Sequence, residues 1–156
     1  MTTSKEIAKR FREVTLNGTW IANTNWQAQI SSISYETATS KIGSLNTIAL
    51  LTFHINYYID GILSVFDGGD LLIRDKFSFD MPSLSHDDWE VLKQNFFKNA
   101  ESFAQKVEVM TDEQLNADFV KADYGTYYRN IDAMIEHAYY HLGQVSLIKK
   151  MIEQSN

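Results

Sequence analysis

Apolar residues recur at steps of three and four over four long stretches, and this spacing predicts helices throughout. Ile7, Phe11 and Val14 mark the first, over about residues 4–17, with Thr3 and Glu6 as a capping box and Asn17-Gly18 as its end. Residues 20–25 read as a loop, and a short helix over about 25–33 turns Trp26, Ile30 and Ile33 inward. A second capped turn follows at Ser34-Tyr35-Glu36-Thr37. The second long helix spans about 44–67, with Ile48, Leu51, Ile55, Tyr58, Ile62 and Val65 on one face, and Gly68-Gly69 closes it. Ser85 and Asp88 start the third. Asp87, Asp88 and Glu90 lie at its positive end, and Trp89, Leu92, Phe96, Phe103 and Val107 form its apolar face. Thr111 and Gln114 frame a short capped turn. Gly125-Thr126 opens the fourth helix, with a stripe of Ile131, Met134, Ala138, His141, Val145, Ile148 and Ile152.

The expected fold is therefore all-α, a four-helix bundle with short accessory helices, in one domain over 1–156. The sole proline, Pro82, fits long helices, whose interiors exclude it. Residues 70–84 make a long connection between the second and third helices, with Leu72, Arg74 and Lys76 alternating against Ile73, Phe77 and Phe79. Such a connection is either a lid or interface element, or a plain surface flap.

Composition narrows the function. At 156 residues and 44% hydrophobic, the chain can bury a core without staples. The net charge of −6, with scattered Lys and Arg, argues against nucleic acid as a partner. The absence of cysteine excludes disulfides, thiolate ligands, iron–sulfur clusters and cysteine nucleophiles. No apolar leader core follows the start, and no run of about 18 apolar residues stands out, so a cytoplasmic protein without a membrane partner is expected.

The chain has four histidines. His137 and His141 are four apart and share one helix face, so both imidazoles can reach a single ion. His141 interrupts an apolar stripe, and His54 does the same between Leu51 and Tyr58. Buried ring nitrogens need partners, and a shared metal partners all three at once. The alternative is that each is satisfied by a carbonyl or by a nearby tyrosine among Tyr57, Tyr58, Tyr139 and Tyr140. His86 belongs with the cap of the third helix.

Spacing removes some chemistries. His137-Ala138-Tyr139-Tyr140-His141 lacks the glutamate of a zincin protease. No glutamate stands three residues before a histidine, so the di-iron bundle motif is absent. Asp60 and Glu136 are turned away from the histidine faces, which disfavours a two-histidine, one-carboxylate iron site.

The stretch Ser44-Leu45-Asn46-Thr47-Ile48, then Thr52-Phe53-His54-Ile55-Asn56-Tyr57-Tyr58, together with His137-Ala138-Tyr139-Tyr140-His141-Leu142-Gly143-Gln144-Val145, resembles the DinB/YfiT-like superfamily of metalloenzymes. Trp20, Trp26 and Gly68-Gly69 extend the resemblance over nearly the whole chain. It implies an up-and-down variant of the four-helix bundle, often a homodimer; the absence of targeting segments adds the expectation of a bacterial-type protein. His54, His137 and His141 would hold one divalent ion (nickel, zinc or iron) with open positions.

The family includes thiol-dependent transferases and isomerases that use bacillithiol or mycothiol. The expectation is thus a metal-dependent enzyme, either a transferase acting on a low-molecular-weight thiol or a hydrolase of small molecules. Gln144 is a candidate to orient a ligand, and Tyr57 and Tyr58 to donate hydrogen bonds, each against a plain packing role. A non-catalytic bundle with a structural ion, or a dimerising bundle with satisfied histidines, is the alternative.

Overall fold

A computed structural model describes residues 3–155, and among them the chain is all-helical. Seven α-helices follow in order: α1 Thr3–Arg12, α2 Trp26–Ile30, α3 Tyr35–Thr39, α4 Ile48–Phe66, α5 His86–Glu108, α6 Asp112–Asn116 and α7 Tyr127–Gln154. α1 packs on α5 and α7, and α4 packs on the same two helices.

The stripes foreseen from spacing meet in one core. Phe11, Ile55, Trp89, Phe96, Phe103, Ile131 and Val145 are all fully buried, as is Ile59, which the spacing did not mark, while its neighbour Tyr58 is only partly covered. Phe11 and Phe103 stack with ring centroids 4.3 Å apart, joining α1 to α5. Each such side chain contributes about 1.5–3 kcal/mol by leaving water. The tryptophans also bond across elements. Trp26 Nε1 donates to the Ala138 carbonyl at 2.9 Å, and Trp89 Nε1 to the Ile33 carbonyl at 2.9 Å. Trp26 thereby fixes α2 on α7 between the two histidines of that helix.

Caps set most of the boundaries. Asn25, Ser34, Thr47, Ser85, Thr111 and Thr126 each accept a backbone N–H from the first turn of the helix they open, and Ser85 and Thr111 form full capping boxes. Because Thr47 is the cap, α4 begins at Ile48 rather than near residue 44. At its other end the Gly69 N–H reaches the Ser64 carbonyl and the Gly68 N–H the Val65 carbonyl, each at 2.9 Å. Gly68 sits at φ +87°, the left-handed position this closure requires.

The first long helix departs from expectation in two ways. Thr3 lies inside the first turn of α1, so the cap position falls outside the described residues. Beyond Arg12 the α pattern gives way to a π turn over Glu13–Asn17, closed by the Gly18 N–H on the Glu13 carbonyl at 3.2 Å. Thr15 Oγ1 donates to the Phe11 carbonyl at 2.7 Å, and the wider turn buries the consecutive residues Val14 and Thr15 together.

α4 is the most apolar helix. At 19 residues, with mean hydropathy 1.3, it is long and apolar enough to cross a membrane by length and composition alone, and 56% of its most apolar 18-residue window is buried inside the protein. The polar side chains Thr52 and His54 lie on buried faces of it.

Residues 70–84 hold one short 3-10 turn, Asp75–Phe77, and otherwise no regular structure. They are bound closely to α4. The Tyr57 hydroxyl accepts the Arg74 N–H at 2.8 Å and donates to the Arg74 carbonyl at 3.1 Å. The Tyr58 hydroxyl donates to Asp75 Oδ1 at 2.8 Å. Gly61 permits the approach, since a Cβ there would lie 2.3 Å from Ile73 Cγ2.

Candidate metal centre

α4 delivers His54 and α7 delivers His137 and His141 to one point. The ligand atoms of the three all lie within 4.8 Å of one another. His137 Nε2 is 3.1 Å from His54 Nε2 and 3.0 Å from His141 Nε2. Separations of this size suit a shared ion with bonds of about 2.0–2.1 Å. His54 and His141 are buried, at 4% and 6% exposure, and His137 is partly open.

The outer nitrogens fix the tautomers. His54 Nδ1 lies 3.1 Å from the Ser78 carbonyl, which can only accept, so the proton is on Nδ1 and Nε2 presents a lone pair. His141 Nδ1 donates to Gln144 Oε1 at 2.6 Å, so its Nε2 also presents a lone pair. His137 Nε2 faces both. With a proton there it can donate to one of them, and the lone pair of the other is left without a donor. A second proton is resisted, because burial, and then the neighbouring His141 and His54, push the His137 imidazole down to about 4. Burial likewise lowers His54 and His141, against the opposing hydrogen bonds from Ser78 and Gln144. Three neutral imidazoles turned towards one another make a donor set that suits a divalent cation.

The chain matches no protein-family model, no curated protein and no solved structure. The chemistry is therefore read from the residues.

The remaining sequence candidates fall as follows. His86 is exposed on the first turn of α5, with Nε2 3.0 Å from Glu36 Oε1 and its ring 4.3 Å from that of Tyr35, away from the cluster. Asp60 and Glu136 are exposed, and Glu136 pairs with Arg129 at 3.0 Å. Tyr58 packs edge-on to both His54 and His137, at 5.2 Å in each case, while its hydroxyl serves the connection rather than the nitrogens.

What the sequence did not reveal comes from residues 70–84. Phe79 stacks on the His54 ring at 3.9 Å and 8°, and the Ser78 carbonyl orients the same ring. Asp75, held by Tyr58, places negative charge near His54 and His137 and favours their cationic forms. A backbone carbonyl has no residue signature, so Ser78 was unreadable. The available signals were the Tyr57-Tyr58 pair on α4 and the Phe77 and Phe79 alternation.

Proposed function

We propose that this protein is a metal-dependent enzyme whose divalent ion is held by His54, His137 and His141 in a four-helix bundle of the DinB/YfiT-like kind. The observation that carries the reading is the convergence of three Nε2 atoms, with the rings of His54 and His141 held by Ser78 and Gln144 so that their Nε2 lone pairs face His137. Metal-ligating histidines characteristically donate their other ring N–H to a carbonyl or carboxylate, and two of these three have such an arrangement. Packing of α1 and α4 against both α5 and α7 supports the bundle.

Three neutral ligands leave the ion its full charge and open coordination, so when bound it supplies Lewis acidity and activates water or a thiol. The protein's own part is to hold the imidazoles neutral and aimed, and to cover His54 with Phe79. A cysteine-free chain takes any thiol from its substrate. We therefore favour a transferase using a low-molecular-weight thiol, or a hydrolase of small molecules, with nickel, zinc or iron as the ion.

A structural ion is the second reading, favoured by the placement of the ligands on two helices that pack together. The test is elemental analysis of untagged protein, followed by thiol-conjugation and ester-hydrolysis assays of wild type and His137→Ala. Near-stoichiometric metal in wild type, with activity lost in a folded variant, is expected. Metal-free wild type refutes the site, and equal activity in the two proteins refutes catalysis.

A further inference from the structure

Next to Gln144, α4, α7 and the residues before α4 form a depression of about 350 Å³ that the histidines themselves do not line. Small-ligand sites run from about 300 to 1,000 Å³. Leu51 and Ile148 are buried at its floor, and Leu45 and Leu147 stand on its walls at 43% and 58% exposure. The polar residues along it, Ser44, Asn46 and Gln144, are all uncharged. A second depression, on the Tyr58 side, sets the charged Arg74 and Asp75 among apolar residues such as Ile62, Leu71, Ile73 and Phe119.

The apolar depression is tied to the histidine cluster through Gln144. Leu51 precedes His54 by three residues on α4, and Gln144 follows His141 by three on α7, so these two lining residues stand about one turn from a histidine. Gln144 belongs to both sites. Its Oε1 accepts from His141 Nδ1, and its Nε2 has no protein partner among the described residues.

We propose that this depression binds the short aliphatic chain of an uncharged acyl compound, whose carbonyl oxygen accepts a hydrogen bond from Gln144 Nε2 beside the histidines. No side chain lining it can pair with a charge, and none offers an aromatic face for stacking. Leucine and isoleucine walls reward added methylenes instead. The inference deepens the metal-site reading, on which it rests for the placement of the acyl group. The chain-binding part stands on the lining alone. The competing occupant is a second copy of the protein, but a stable interface needs roughly 1,000 Å² or more of buried surface, and the feature here is concave and small.

The test uses two series of probes. Acetamide, butanamide and hexanamide are titrated into metal-free protein, and the corresponding hydroxamic acids, which chelate metal, into zinc-loaded protein. Affinity should rise about three- to fourfold per added methylene until the depression is filled. L147N and L45S, both at exposed positions, should flatten that rise and leave acetohydroxamate binding unchanged. A flat series in wild type overturns the proposal, as does a rise that survives both substitutions. Sedimentation showing a dimer that L147N makes monomeric also overturns it, in favour of an interface between copies. If zinc fails to bind while the amide series still rises and L147N flattens it, the metal reading falls and the chain pocket stands.

Discussion

Ser78 lies 24 residues beyond His54, yet its carbonyl accepts the His54 Nδ1 proton at 3.1 Å. The connection between α4 and α5 thus orients one of the three clustered histidines and covers its ring with Phe79. Moving the connection should alter the ring without touching a ligand.

Gly61 gives access to that motion. A methyl group at this position collides with Ile73, so G61A should lift residues 70–84 from α4 and cost about 1–3 kcal/mol. Zinc affinity should fall in the same variant, and G61A with I73A should recover much of both losses. Calorimetric titration and thermal melts of the four proteins of this double-mutant cycle measure the coupling.

Gln144 should matter through His141. Replacing it with methionine removes the acceptor on Nδ1 and should weaken zinc by about 10–100-fold, the usual effect of losing such an outer partner. Q144E keeps an acceptor there and should bind zinc at least as tightly as wild type. Competition titration against a chromophoric chelator distinguishes these outcomes, and equal affinities in all three proteins would sink the assigned role.

Metal should stabilise the fold. At a free zinc concentration 100 times Kd, binding contributes about 2.7 kcal/mol. For a chain of this size that raises Tm by roughly 5–10 °C. H54A, H137A and H141A should each lose most of the shift, and melting curves with and without chelator read it directly.

Acid should weaken the metal-free protein. His137 titrates at about 4 when folded, against 6.5 as the ordinary value, so between those values the unfolded chain binds the extra proton. Stability is then unaffected by this group above pH 6.5 and falls as pH drops from about 6.5 towards 4. His54 and His141 are also lowered and act in the same direction. H137Q should make the denaturation midpoint flatter across that window. A midpoint as steep as that of wild type would assign the acid sensitivity elsewhere.

Much of this was legible from spacing. The steps of three and four located α4, α5 and α7, and the oxygen-bearing caps marked where most helices begin. The interruption of two apolar faces by His54 and His141 signalled that these rings could meet, and the four-residue offset of His137 put it beside His141. The π turn after Arg12 was not legible, because periodicity cannot distinguish a widened turn from the end of a helix. Nor was the docking of residues 70–84. It depends on a missing Cβ at Gly61 and on backbone groups of Arg74 and Ser78, which no side-chain pattern records.

His54 and His137 meet across 83 residues of chain. An ion shared between them would close that span as a removable cross-link in a sequence without thiols. Closing a long loop restricts the unfolded ensemble more than closing a short one. In the unfolded chain His137 and His141 remain close neighbours, while His54 is released. Chelation would then open the molecule at the α4–α7 seam, and unfolding under chelator should begin by separating these two helices rather than by fraying α1 from α5.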